Sequence, residues 1–177
     1  MITRNIDKII IHCSATREGE SVNALEIDKW HKKKGWKGIG YHFLIDIDGK
    51  IEVGRNIRES GAHTKGENSN SIGVCYVGGV EKERDSNGDW VAKDTRTNEQ
   101  KESILLLLQT LKKMFKDATI HGHNEFANKS CPCFDAKSEY NNLKTIKDDT
   151  IYYNALVGII NWFYGFFKSG NKPNTNR

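Results

Sequence analysis

The histidines and cysteines of this chain are not spread evenly. The densest grouping is His121-Gly122-His123 followed by Cys131-Pro132-Cys133. Imidazole and thiolate are ligands that zinc favours, and a catalytic zinc takes three protein ligands and leaves a fourth position open. A third donor is available from His12 or Cys13, at the end of the first apolar run. The spacing is not that of a zinc finger. On residue types alone two readings stand together. One is a metal site. The other is a set of surface histidines with small buried cysteines, which are common core residues.

Bringing residue 12 to residues 121–133 requires a sheet. Ile9-Ile10-Ile11 is a β-branched run that predicts a buried strand. Residues 17–21 are polar and loop-like. Asn23 and Glu26 fit a capping box, with Val22 and Ile27 placed to staple the helix start. Leu25, Ile27, Trp30 and His31 follow at helical spacing, with Trp30 on the apolar side, and Gly35 stops the helix after Lys32-Lys33-Lys34. Residues 41–45 predict a strand, Asp48-Gly49 a hairpin turn and residues 50–53 its partner. Residues 71–77 predict another buried strand, ended by Gly78-Gly79. Residues 81–96 are polar, with Asn87-Gly88 at a loop tip. Thr97 and Gln100 form a second capping box. The long helix they open is expected to run to about Lys116 and to bury Ile104, Leu105, Leu107, Leu108, Leu111, Met114 and Phe115. Residues 118–121 predict a short strand, and Asp135 caps a last helix over 136–143. The alternation predicts a single α/β domain, a central mixed β-sheet flanked by helices. Open sheets of this kind place ligands at one edge, where strand ends converge.

Seven short motifs occur in order: His12-Cys13-Ser14-Ala15-Thr16, Trp30-His31-Lys32, Gly35-Trp36, Gly40-Tyr41-His42-Phe43, Gly61-Ala62-His63, Ser71-Ile72-Gly73-Val74-Cys75 and Lys129-Ser130-Cys131-Pro132. The series resembles the zinc-dependent N-acetylmuramoyl-L-alanine amidases of the type-2 amidase family. That family includes amidase-type bacteriophage lysozymes, which look nearest, and animal peptidoglycan recognition proteins. The resemblance spans about residues 6–143. It implies one Zn2+ per chain, held by His12, His123 and Cys131. His123 is preferred to His121 because it stands eight residues before the cysteine, the family's position. Cys133 falls outside the implied triad and reads as a local thiol. Cys13 alternates with His12 along the strand and reads as core, as does Cys75.

The resemblance also implies that Tyr41 and Lys129 flank the metal as catalytic residues. Amide hydrolysis places negative charge on the scissile carbonyl oxygen, and donors aimed at that charge lower the barrier. Lys129 offers a full positive charge and Tyr41 a hydroxyl. His63 matches a histidine of the family's substrate groove, and Trp36 offers an aromatic face for sugar or peptide. His31 and His42 read as structural. In two places the chain departs from the family. Cys75 stands where some relatives carry a glutamate, which moves the proton-transfer role toward Tyr41, with Glu125 the next carboxylate in line. Asn128 stands where many carry proline. The implied activity is zinc-dependent hydrolysis of the amide between N-acetylmuramic acid and L-alanine in peptidoglycan, as in cell-lysis enzymes. The alternative within the family is a non-catalytic peptidoglycan-binding module that lacks the zinc cysteine.

Composition fits this reading and limits others. The chain has 177 residues, a net charge of +4 and four cysteines, too few for a disulfide scaffold. The charge is too small and too dispersed for a nucleic-acid binder. Mean hydropathy is −0.65, an average that hides an apolar run over 151–167. The expected division is therefore an amidase domain over residues 1–148 and an apolar helical segment with a polar tail over 149–177. Read as a helix, the run carries Asn154, Gly158, Asn161 and Gly165 on one stripe. Three roles fit it: packing on the domain, docking at a membrane interface with Trp162 and Tyr164, or self-association. No secretory signal is read at the start, so cytoplasmic synthesis and a monomer acting on the wall after release are the expectations.

Overall fold

The computed structural model describes residues 4–140 and 142–143. Strand β1 (Lys8–Cys13) is an interior strand of the sheet, with its β-branched residues buried on both faces. Around it lie β3 (Phe43–Ile45), β4 (Ile51–Val53), β5 (Ser71–Tyr76) and β7 (Thr119–Gly122), in the order β4-β3-β5-β1-β7. All pairs are parallel except the β3–β4 hairpin, so the sheet is mixed, as expected. A second, two-strand ribbon pairs β2 (Thr16–Arg17) with β6 (Gly79–Val80). Residues 17–21 therefore begin in a strand, and the chain pairs again beyond Gly78. Two-residue strands carry no periodicity that a pattern could reveal.

Alternation along β1 sorts the two faces. Ile9, Ile11 and Cys13 join Val74, Tyr76, Phe43 and Ile45 under helix α2 (Asn98–Met114) and helix α3 (Ala136–Tyr140). The opposite face is covered by helix α1 (Ala24–Lys33), and its apolar cluster is small: Val22, Ile27, Ile39, Leu44, Cys75 and Val77. Both capping boxes are present. Thr97 Oγ1 also donates to Ile47 O (2.9 Å), and Gln100 Nε2 donates to Ile45 O and Val77 O, pinning the start of α2 to the sheet.

Some packing expectations fail. Trp30 is 38% exposed, because the buried stripe of α1 is Ile27 and His31, and Trp30 lies about a quarter of a turn from the centre of that stripe. Leu105 and Met114 are also exposed; the stripe of α2 runs through Gln100, Ile104, Leu107, Leu108 and Leu111. Helix α2 ends at Met114 and α3 at Tyr140, each short of the expected end. The segment 151–167 and the expected boundary at 148 lie outside the described residues. Among the described residues, no helix is long and apolar enough to cross a membrane.

Arg96 joins the 81–96 loop to α3. Its guanidinium is almost fully buried, bonds Asp94 (2.8 Å) and Glu139 (2.9 Å) and lies over the Phe134 ring. Removing one partner of such a group leaves the rest desolvated and unpaired, although both carboxylates keep some solvent. Arg96→Ala should therefore lower the unfolding free energy by about 2 kcal/mol, seen as a lower urea midpoint at unchanged slope. An unchanged midpoint would mean that the cluster contributes nothing net.

Candidate metal centre and active site

The register of the sheet decides which histidine meets His12. Ile10 pairs with His121 and Ile11 with Gly122, so continuing the ladder sets His123 level with His12 on the same face. The His12 and His123 ring centroids are 4.5 Å apart. His123 opens a one-turn 3-10 helix (His123–Glu125) directly after β7. His121 is held elsewhere, with Nδ1 2.8 Å from Glu125 Oε2 and Nε2 2.8 Å from Thr119 Oγ1. Glu125 also accepts the Gly122 N–H (2.8 Å), so this carboxylate is tied into the turn and not aimed at the histidine pair.

The third member arrives on the loop after the turn. The Cys13 backbone N–H donates to Cys131 Sγ (3.2 Å), and His12 Nδ1 is 3.8 Å from the same sulfur. The Tyr76 hydroxyl donates to Pro132 O (2.7 Å), fastening the loop to β5, and the Cys131–Pro132 peptide is cis. One donor atom each from His12, His123 and Cys131 lies within 4.8 Å of the others. Protonation states fit a cation. Burial pushes His12 well below the ordinary histidine range, with His63, His123 and Lys129 adding repulsion. Burial and Lys129 lower His123 as well. For Cys131, contact with the Cys13 side chain lowers the pKa, burial opposes it, and the Cys13 N–H and Lys129 lower it further. Neutral imidazoles and a favoured thiolate are the forms a metal requires. Two imidazoles and one thiolate suit zinc.

The tautomer of His12 follows from a buried chain of hydrogen bonds. Ser71 Oγ donates to the backbone carbonyl of Glu67 (2.7 Å), which can only accept. Ser71 must then accept from His63 Nε2–H (3.3 Å), leaving His63 Nδ1 without a proton. His12 Nε2–H faces that nitrogen at 3.0 Å, with Thr64 Oγ1 at 3.3 Å. The bare nitrogen of His12 is thus Nδ1, the atom turned toward Cys131. His63 borders the groove, but both its ring nitrogens are engaged inside the protein. A Cβ on Gly73 would stand 2.6 Å from the His63 ring, and one on Gly61 would also collide with it. No pattern in the sequence marks this linkage.

Tyr41, just before β3, sits beside His12 (centroids 5.1 Å) with its hydroxyl against the Cys75 thiol. Burial, then the nearby thiols, holds Tyr41 well above the ordinary phenol range, so the hydroxyl stays protonated and can donate. Cys75 is wholly buried, as expected. A groove of about 410 Å³ opens over the centre, lined by Trp36, His63, Lys65, His123, Phe126 and Lys129 among others. Trp36 packs on His31 (centroids 4.5 Å). His31 Nδ1 accepts the Gly40 N–H and His42 Nδ1 the Gly73 N–H, the structural roles expected of both.

A family model described as N-acetylmuramoyl-L-alanine amidase matches residues 2–134. The endolysin of Escherichia phage T7 is 42% identical over 143 residues, covering 81% of this chain and 91% of that protein. The endolysin of Enterobacteria phage T3 is 40% identical over the same shares. Among solved structures, the N-acetylmuramoyl-L-alanine amidase LysC from Clostridium intestinale URNW superposes with a TM-score of 0.66 at 26% identity, over 82% of this chain and 90% of that one. Bumblebee PGRP-SA shares the fold, with a TM-score of 0.62 at 24% identity, over 82% and 89% of the two chains. With its mixed sheet, its histidine–histidine–cysteine cluster and these likenesses, this chain belongs to the N-acetylmuramoyl-L-alanine amidase family.

Proposed function

We propose that the protein is a zinc hydrolase that cuts the amide between N-acetylmuramic acid and L-alanine in peptidoglycan, in the manner of a cell-lysis endolysin. The observation that carries this reading is the convergence of His12, His123 and Cys131, ligand atoms within 4.8 Å, beside a groove that His123 lines, in a chain of the amidase family. Those three residues would hold the zinc. When bound, it supplies a Lewis acid that activates water and polarises the scissile carbonyl. Lys129, at the groove wall, stabilises the negative charge that develops on the carbonyl oxygen. The protonated Tyr41 hydroxyl donates to the same charge or to the attacking water. Trp36 gives the substrate an apolar wall. His63 acts as a positioning residue through His12, not as the substrate contact its motif implies, because its ring nitrogens are already bonded. Retention of Cys131 favours hydrolysis over a binding-only role. The amidase unit is read as residues 1–148 acting as a monomer on the wall, and for the segment and polar tail over 149–177 contact with the membrane interface through 151–167 is one of the three roles its sequence fits.

Purified protein acting on defined peptidoglycan should release L-alanine amino termini with no new reducing sugar ends, and a chelator should stop it. New reducing ends would identify a glycosidase instead. Zinc measured per chain should fall from about one toward zero in Cys131→Ala. Lys129→Ala should keep its zinc while losing on the order of 10²-fold in kcat; full activity in that variant would remove Lys129 from the reaction. His63→Ala should weaken zinc binding by about 10–100-fold in chelator competition. An unchanged zinc affinity with a raised KM would instead make His63 a substrate contact.

A further inference from the structure

Cys13 touches the ligand Cys131, but the mechanism gives neither the Cys13 thiol nor the Cys133 thiol chemistry of its own. Those two sulfurs lie 3.8 Å apart, where β1 meets the loop that carries Lys129 and Cys131. The local backbone is shaped around the pair. Cys133 adopts a left-handed conformation (φ +72°), which costs a non-glycine residue energy and holds its side chain toward β1. Its Sγ also lies 3.2 Å from Gly79 O. Gly79 has φ +105°, and a Cβ there would stand 2.5 Å from Cys13 Sγ, so glycine leaves room for that sulfur, with Cys133 Sγ in ordinary contact distance at 3.6 Å. Cys13 is buried and Cys133 half-buried. Neither sulfur is a member of the metal cluster.

We propose that Cys13 and Cys133 form a dithiol site that closes to a disulfide by exchange with a disulfide donor, bolting the Lys129–Cys133 loop to β1 while Cys131 stays with the metal. The inference deepens the amidase reading and rests on it for its setting: peptidoglycan lies outside the cytoplasmic membrane, where disulfides persist. The chemistry balances as two exchanges. Cys133 Sγ, the more accessible sulfur, attacks the donor disulfide, which forms a mixed disulfide and releases one donor thiol. Cys13 Sγ then attacks Cys133 Sγ, which forms the Cys13–Cys133 bond and releases the second. Two electrons pass from the pair to the donor, and the two thiol protons end on the released thiols. The bond would close a loop of roughly 120 residues, long enough to restrain the unfolded chain strongly. It would join the segment bearing His12 to the segment bearing Cys131, so the two halves of the metal site would separate less readily.

The test uses the full chain, purified reduced and loaded with zinc, then exposed to oxidised glutathione. Peptide mapping should find a Cys13–Cys133 link with zinc still at about one per chain. The thermal midpoint should rise by roughly 5–10 °C, and zinc should pass more slowly to a chelator. Cys133→Ser and Cys13→Ser should each remove the shift and leave a midpoint that oxidised glutathione does not raise. A glutathione adduct on Cys133 without a bridge would overturn the proposal, as would a bridge through Cys131 with loss of zinc. None of these readouts uses peptidoglycan, so failure of the proposed substrate would show in product analysis and leave this result standing on its own.

Discussion

The site depends on one acceptor that cannot donate. The carbonyl of Glu67 fixes the direction of the Ser71 hydroxyl, Ser71 fixes His63, and His63 fixes His12. The two histidine links are buried and the Ser71–Glu67 link part-buried, and a buried donor without a partner is costly. No buried side-chain nitrogen or oxygen among the described residues lacks a partner. The outcome is that His12 presents an unprotonated Nδ1 toward Cys131 before any ligand arrives. A histidine free to choose its tautomer would present that atom only part of the time, so the chain of bonds is a form of preorganisation. Arg4 keeps the chain in place. Its guanidinium donates to the carbonyls of Ile57, Asn68 and Ser71, so the loop that carries His63 and Thr64 is clamped to the start of the sheet.

A second constraint is the sheet register. A slip of one residue between β1 and β7 would carry His123 off the face of His12 and set Gly122 in its place. The register is secured from the other face, where Ile9, Ile11 and Ile120 pack under α2 and α3. The apolar core and the metal site are therefore two readings of one alternation. The odd-numbered residues of β1 fill the core, and His12 among the even ones lies on the other face, beside His123 and His63.

Much of this was legible in the sequence where the signal is local or strictly periodic. Asn23 with Glu26 and Thr97 with Gln100 each satisfy two helix-end donors within a single turn, and both were readable. The choice of His123 over His121 came from resemblance, and the register supplies its physical reason. The misses share a cause. Trp30, Leu105 and Met114 are apolar residues near a stripe but not on it, and a pattern cannot say how wide the covering surface is. The engagement of His63 requires residues 4, 12, 63, 67 and 71 to meet, which no local pattern encodes. Cys13 was correctly placed on the core side of β1, yet its neighbour there is Cys133, which read as an isolated thiol. Contacts made by loops closing onto a sheet are the ones that sequence periodicity leaves out.

The polar face also sets the conditions under which the fold holds. Histidines occupy much of the surface under α1 that would otherwise extend the second apolar cluster, and they are stable there only while neutral. Burial, aided by Lys34 and Arg55, pushes His31 down to about 4. Burial pushes His42 down to about 3, its bond to the Glu59 carbonyl opposes that, and Arg4 and Arg55 add to the fall. With folded pKa values below the unfolded value, both groups favour the folded state at neutral pH. Below the ordinary histidine pKa of about 6.5 the unfolded chain gains protons that the folded chain refuses, and stability falls by up to about 1.4 kcal/mol per pH unit for each group until its folded pKa is reached. His31 lies behind Tyr41 and Trp36, and His42 behind the His63 loop. Acid would therefore loosen the supports of the groove before it reached the carboxylate pairs on the opposite face, where Arg96 holds Asp94 and Glu139 below the usual carboxylate range against the opposing effect of burial.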